Sequence, residues 1–290
     1  MAHIKNLTLC AGIALAGMLL PASLFAGTES KAVVETTTKS VITGDLGVNF
    51  VSEYISRGAM QESKGVIAQP YADLYYALYE GEGFINKVTL NLGVWSSFHD
   101  AHTASPAGAR LRDWYEFDYT PGVSVTFAKN YTLTASYFEF DSPSDAFDAS
   151  RNINLNLAYN DTDLLGAFAL HPHVAYLREL DGVAASGVGS SGNYYEVGVA
   201  PALPAYGPVT ITFPVTAGFG SGHFYAENKT FGYVSGGVNA SVAIPCIPTQ
   251  YGTWALNLGV SYTYLADQNA DWANVDNNRM VYTGGIGATF

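Results

Sequence analysis

The sequence predicts an all-β protein, a transmembrane antiparallel β-barrel with twelve strands as the simplest count. Three observations carry that expectation. Only 13% of the 290 residues are charged, against roughly 25% in an ordinary soluble domain, so much of the surface need not face water. Beyond residue 26 no apolar run approaches the ~18–20 residues of a spanning helix. Apolar residues recur instead at every second position, in segment after segment, and 20 Tyr, 15 Phe and 4 Trp exclude a disordered chain.

Taken in order, residues 1–26 read as a secretory signal. Lys5 is the positive start, 7–20 the apolar stretch, and Ala26 the small residue before Gly27. Cys10 falls inside that stretch, so cleavage would leave Cys246 alone and no internal disulfide to form. The Thr-rich segment 27–43 has no clean period and is expected to be a periplasmic leader. The barrel is expected over 44–290.

From there the dyad takes over. Trp254, Leu256, Leu258, Val260, Tyr262 and Tyr264 alternate with Ala255, Asn257, Gly259, Ser261 and Thr263. Ile153, Leu155 and Leu157 alternate with Asn152, Asn154 and Asn156. A soluble sandwich has the same period of two. What discriminates is the repeated pairing of a Leu/Val face bearing aromatic ends with a face of Asn, Thr, Ser, Glu and Gly, which suits lipid outside and water inside.

Twelve strands are expected at 44–58, 65–79, 84–99, 111–127, 131–141, 150–160, 167–180, 192–203, 208–219, 229–244, 252–266 and 278–290. An even count is what a bacterial single-chain barrel requires. Links at 80–83, 128–130, 161–166, 204–207 and 245–251 alternate with longer ones rich in Gly, Ser, Asp and Asn at 100–110, 142–149, 181–191, 220–228 and 267–277. The link 59–64 takes its place in the longer set by order alone. Short periplasmic turns alternating with longer external loops have this form. Phe290 ends an alternating strand (Met280, Tyr282, Gly284, Ile286, Ala288), like the terminal signal read by the barrel-assembly machinery.

The formal charge of −12 repels phosphate and argues against a nucleic-acid partner. No G-x-S-x-G, H-E-x-x-H or G-x-x-x-x-G-K-[ST] pattern is present, and no nucleophile with a positioned base can be named, so neither an enzyme nor a cofactor is expected. If the apolar faces meet lipid, Glu53, Arg57, Asp73, Glu116, Asp118, Glu196, His171, His173 and Arg279 point inward. Glu53 and Arg57, four apart, should share one strand face, and Arg57 and Arg279 should both approach the external rim. The fourth strand brings Glu116 and Asp118. Such charges either set a transverse field across a pore or pair to rigidify the interior. His171 and His173, at i and i+2, should lie about 6–7 Å apart on one face, with no third metal ligand by spacing. Acidic loops (Asp141, Asp145, Asp148; Asp267, Asp271, Asp276) are solvated or bridged by cations to lipopolysaccharide, and 187–192 reads as a flexible tip.

Three stretches resemble an uncharacterised family of Gram-negative outer-membrane β-barrel proteins. Val51-Ser52-Glu53-Tyr54-Ile55-Ser56-Arg57-Gly58 is similar to its V-S-[DE]-Y-x-x-R-G opening. Gln69 and Asp73 match its Q-x-x-x-D strand, followed by 93–97. Glu116, Asp118 and Gly122 match a third segment. Pro70 stands where that family has a small residue. The resemblance covers about 45–125 and implies a barrel in the outer membrane, without implying a substrate.

The function expected is a passive, porin-like channel for small polar solutes, since twelve strands fall between filled eight-stranded barrels and open sixteen-stranded ones. Five inward acids against two arginines lean it toward cations. The alternative is a non-conducting structural or surface-binding barrel, distinguished by how far Tyr71, Tyr75, Trp95 and Tyr194 fill the lumen and whether a loop folds in.

Overall fold

The computed structural model describes residues 41–182 and 192–290. The expected signal at 1–26, nearly all of the leader at 27–43 and most of the loop tip at 187–192 lie outside them. The described strands are β1 (Ile42–Val51), β2 (Tyr54–Ser56), β3 (Ala59–Glu62), β4 (Ile67–Glu80), β5 (Ile85–His99), β6 (Trp114–Phe127), β7 (Tyr131–Asp141) and β8 (Ser150–Tyr159). After a short helix α1 (Thr162–Leu165) come β9 (His173–Asp181), β10 (Asn193–Val199), β11 (Val209–Thr212), β12 (Val215–Ser221), β13 (Phe231–Ala243) and β14 (Thr253–Leu265). Helix α2 (Asp267–Ala273) and β15 (Asn278–Thr289) complete the chain.

Every pairing is antiparallel, and the sheet closes on itself where β1 meets β15, from Asp45 opposite Thr289 to Val51 opposite Thr283. β11 and β12 both pair with β13 and occupy one position in the ring. Thirteen strands therefore make twelve staves, the number the alternation predicts. Closure removes the free edges that a β-sheet cannot leave unpaired in lipid.

Burial runs opposite to that of a soluble protein. Along β8 the amides Asn152, Asn154 and Asn156 are buried, while Ile153 and Leu155 between them are 38% and 39% exposed. Leu46, Leu74, Leu90, Val123, Leu133 and Val174 are likewise exposed on other staves. So large an apolar surface is a lipid belt. Aromatics mark its rims: Phe127, Tyr131 and Tyr159 stack in series at one end, with centroids 5.6 and 4.6 Å apart. Tyr176 meets Tyr195 near the other, at 5.4 Å. The protein is a membrane-spanning β-barrel.

Ile42 and Thr289 lie at the same end, here the terminus end; the opposite end carries the links 52–66, 100–113, 142–149, 182–192, 222–230 and 266–277. Three boundaries depart from expectation. The first strand does not run to residue 58. It stops at Val51, and Ser52 makes the last backbone tie to the wall through Tyr282. The chain then folds back as the separate hairpin β2–β3, turning on Arg57 (φ 48°) and Gly58 (φ 83°). Positive φ at both central residues suits a tight hairpin turn, and Gly supplies one of them at little steric cost. The alternation continues through Tyr54, Ser56 and Gly58, which is why sequence period alone extends the strand. The link 52–66 is accordingly among the longest at its end, not the shortest.

The second departure is at 160–172, which is a folded turn at the terminus end and not a short link followed by a strand from 167. Asp161 accepts the backbone N–H groups of Leu170 and His171 at 2.9–3.1 Å and closes the turn. Burial acts to raise the Asp161 pKa, but these donors outweigh it and hold the carboxyl below its ordinary value. Leu164 and Phe168 project from the turn, 73% and 83% exposed. Third, the stave expected at 208–219 is broken at Phe213-Pro214. Pro214 has no N–H to give a ladder, and its carbonyl instead accepts from Gly237 at 3.0 Å.

At the seam, Phe290 extends the β1–β15 pairing by one step, exchanging two backbone hydrogen bonds of 2.9 Å with Gly44. Deleting Phe290 removes both. The folded, heat-modifiable band on unheated gels should then weaken relative to the parent in membranes from the same expression host. Equal folded yields would show that the terminal residue is dispensable for assembly.

Candidate functional site

Hairpin β2–β3 does not lie over the barrel; it crosses its mouth. Tyr54, Ile55, Ser56, Ala59 and Met60 are all buried. Near its base, Tyr54 packs its ring on Trp95 at 5.4 Å and donates its hydroxyl to Glu116 Oε2 at 2.9 Å. At the tip the Arg57 guanidinium stands over the rings of Phe138 and Phe140, 5.9 and 4.9 Å from their centroids. The tip backbone is held from two loops at the same end. Tyr225 Oη donates to the Arg57 carbonyl at 2.7 Å, and Asn269 Nδ2 donates to the Gly58 carbonyl at 3.0 Å. Ile55, Ala59 and Met60 complete an apolar cluster with Phe138, Phe140, Leu177, Phe224 and Tyr225. Burying side chains of the size of Ile55 or Met60 stabilises the docked hairpin by about 1.5–3 kcal/mol each.

Two acids fix the ends of this segment. Glu53 takes a two-pronged salt bridge from Arg279, with Nε to Oε2 at 2.9 Å and Nη2 to Oε1. Glu62, 1% exposed, accepts from the backbone N–H groups of Ser63 (2.9 Å), Lys64 (3.1 Å) and Thr103 (3.1 Å), and from the Thr103 hydroxyl at 2.7 Å. It ties the first loop to the second. Nothing in the spacing of the sequence singles out Glu62, because its partners are the backbone of its own turn and Thr103, 41 positions away.

The geometry corrects three expectations. Glu53 and Arg57 do not share a strand face: Glu53 lies beyond the end of β1, and Arg57 is the tip of the hairpin, directed across the lumen. Arg57 and Arg279 do not form one basic patch, since Arg279 is occupied by Glu53 at the seam while Arg57 reaches the wall of β6 and β7. His171 and His173 do not share a face. His171 lies in the turn with φ 47°, 3.9 Å from Asp161, and only His173 enters the lumen. There it meets Glu196 at 3.2 Å, and Glu196 also accepts the hydroxyls of Tyr233 (3.0 Å) and Tyr194. Among the described residues no three His, Cys, Asp or Glu side chains converge as a metal cage.

The remaining predicted residues gather on one wall. Three successive ladder rows run across β1, β4, β5 and β6: Asn49–Gln69–Ser97–Glu116, then Gly47–Tyr71–Trp95–Asp118, then Asp45–Asp73–Gly93–Thr120. Asp45, facing Asp73 directly and accepting from Tyr75 at 3.0 Å, lies on a strand whose residues before 44 read as leader, and its inward role was not anticipated. Among the described residues seven buried side-chain atoms have no protein hydrogen-bond partner, and six of them face the lumen: Asn49 Oδ1, Gln69 Oε1, Asp118 Oδ1, Asn152 Oδ1, Asn156 Nδ2 and His173 Nδ1.

Removing Glu62 as Glu62→Ala breaks four hydrogen bonds to a buried carboxylate, at a cost of about 1–3 kcal/mol. Gly58→Val imposes positive φ on a β-branched residue and drives its Cβ to 2.8 Å from Tyr233, a strain of about 1–3 kcal/mol. In both variants the open fraction of the hairpin should rise about 5- to 150-fold, read as faster trypsin cleavage after Arg57 in folded protein. Parent-like cleavage would mean that the hairpin is not held by these contacts.

No family model and no curated protein matches the chain. Among solved structures it is similar to the NanC porin in a rhombohedral crystal form, at 12% identity and a TM-score of 0.46, covering 84% of this chain and 98% of that one. It is similar to an outer membrane channel from Pseudomonas putida F1, at 10% identity and a TM-score of 0.46, covering 86% and 95%. A third is outer membrane phospholipase A from Escherichia coli, at 11% identity and 0.43, covering 85% and 89%. The architecture described above rests on this chain's own strand pairing.

Proposed function

We propose that the protein is a narrow, porin-like channel of the bacterial outer membrane that passes small polar solutes, with its mouth constricted by the hairpin of its first loop. The signal-like start, even stave count and lipid belt support the location. The lumen supports the activity. Six buried polar atoms there lack protein partners. Native interiors pair such groups, or leave them to water, because an unsatisfied one costs about 1–3 kcal/mol. A barrel filled for strength alone would put apolar side chains where Asn49, Gln69, Asn152 and Asn156 stand. Water in the lumen is the condition for conduction.

The apolar cluster around Ile55, Ala59 and Met60 favours a second reading, a non-conducting structural or surface-binding barrel sealed at the loop end. Under either reading the belt meets outer-membrane lipid, the acidic loops meet lipopolysaccharide, and Phe290 serves the barrel-assembly machinery.

Lumen charge supports a cation preference. Arg279 is neutralised by Glu53, which leaves Asp45, Asp73, Glu116, Asp118 and Glu196 facing Arg57. A narrow low-dielectric tube focuses that field. Screening weakens it as the Debye length falls from ~10 Å at 0.1 M salt to ~3 Å at 1 M.

In planar bilayers the refolded parent should conduct weakly. A variant with 54–62 replaced by a Gly/Ser linker of equal length should conduct several-fold more. At low salt the reversal potential should indicate cations, and Glu116→Gln with Asp118→Asn should reduce that preference. Silence from both the parent and the linker variant would establish the sealed barrel. Anion preference would overturn the charge reading.

A further inference from the structure

We propose that the turn at 160–172 is an interfacial anchor, whose apolar side chains sit among the headgroups and upper acyl chains of the leaflet at the terminus end. The partner is phospholipid. The inference needs the barrel to span a membrane and does not need it to conduct.

The first ground is that the turn is inverted in the same sense as the wall. Its middle, Leu164-Leu165-Gly166-Ala167-Phe168-Ala169-Leu170, has no polar side chain. Leu164, Leu165, Phe168 and Leu170 are all exposed, while the Asp161 carboxylate is buried against the turn's own backbone. A turn standing in water has the opposite arrangement. A contiguous exposed apolar patch of this kind marks a surface that meets something other than water.

The second ground is a backbone already fit for a dry medium. The N–H groups of Leu164 and Leu165 donate to the Asp161 carbonyl at 3.0 and 2.9 Å, and that of Ala169 to the Gly166 carbonyl at 3.2 Å. The N–H groups of Leu170 and His171 go to the Asp161 carboxylate, and the Leu170 carbonyl accepts from Ala200 at 2.7 Å. Polar backbone groups paired within the protein are what hydrocarbon demands of any segment that enters it.

The third ground is level. Phe84, Phe127, Tyr131 and Tyr159 run in series along the rim, with centroids 5.7, 5.6 and 4.6 Å apart. The turn leaves the wall directly after Tyr159 and returns at Pro172, whose carbonyl accepts from Tyr159 at 2.9 Å. Asn130 Nδ2 pins Asp163 from the neighbouring turn at 3.1 Å. Helix α1 has four residues and spans about 6 Å, within the roughly 5–10 Å to which interfacial apolar faces enter a leaflet. The surface is thus continuous with the lipid belt. Other turns at this end also present apolar tips: Phe84, Tyr206 and Tyr251 are 72%, 87% and 66% exposed. They stand at separate turns around the ring, where a second copy would cover one flank and a surrounding leaflet meets them all.

The test puts an indole at the tip. Phe168→Trp is refolded as the full chain into phospholipid vesicles that carry bromine near the top of one acyl chain, where it quenches indole on contact. Emission added over the parent, whose own four Trp set the background, should be blue-shifted and largely lost on bromination. Acrylamide in the water should quench it little. Leu164→Trp is the second probe, used in the same way where Phe168→Trp does not give the heat-modifiable folded band. Added emission that is red-shifted and open to acrylamide would place the turn in water and overturn the proposal. Blue-shifted emission that bromine spares, and that reddens as the protein is diluted in lipid, would assign the turn to a second copy and overturn it as well. Conductance in bilayers bears only on the channel, so either reading can fail without the other.

Discussion

Everything inside this barrel depends on one antiparallel seam, β1 against β15. Until Asp45–Val51 pairs with Thr283–Thr289 there is no inside. Closing the ring lets each stave present its apolar residues to lipid and its amides and carboxylates to an enclosed lumen. A hydrocarbon medium tolerates no unpaired backbone, so closure is a condition of existence there. The seam also aims the first loop. Because β1 ends at Val51 beside Tyr282, the following residues leave the wall at the mouth and have only the lumen or bulk solvent to enter. Tyr54, Ile55 and Met60 make the lumen the better choice.

The interior is divided as a result. Toward the loop end, hairpin, aromatic wall and helix α2 meet in apolar packing that excludes water. Deeper in, polar atoms without protein partners line several staves. The boundary between the two passes through Tyr54, which packs its tilted ring against Trp95 and satisfies Glu116 with its hydroxyl. A phenol suits that position, having an apolar body and a polar tip. The lumen is therefore neither an open tube nor a solid core.

The staves were legible in the sequence because period two is a local signal, and each stave repeats it independently. Asn152, Asn154 and Asn156 against Ile153 and Leu155 show from the residues alone which face is wet. The hairpin was not legible, because its alternation is indistinguishable from that of the strand it follows; only the positive φ at Arg57 and Gly58 separates them. The turn at 160–172 was misread since its apolar residues looked like a strand, whereas three hydrogen bonds to one carboxylate, Asp161, decide its shape. The rows that set Asp73 across Gly93 from Thr120, and Trp95 beside Asp118, are a matter of register between staves. Register depends on neighbours, not on the stave's own residues.

The contacts that hold the hairpin join residues very far apart in the chain. Arg57 is bound to Tyr225, Gly58 to Asn269 and Glu53 to Arg279, over separations of 168, 211 and 226 positions. Such contacts repay their loop-closure entropy only after the intervening chain is ordered. The hairpin is attached to the first stave, yet its docking surface is made by later staves and by loops near the end of the chain. The constriction is therefore complete only when both ends of the chain are in place. Cutting the chain before its last two staves would remove Asn269 and Arg279, and with them the hold on a hairpin that lies more than two hundred residues upstream.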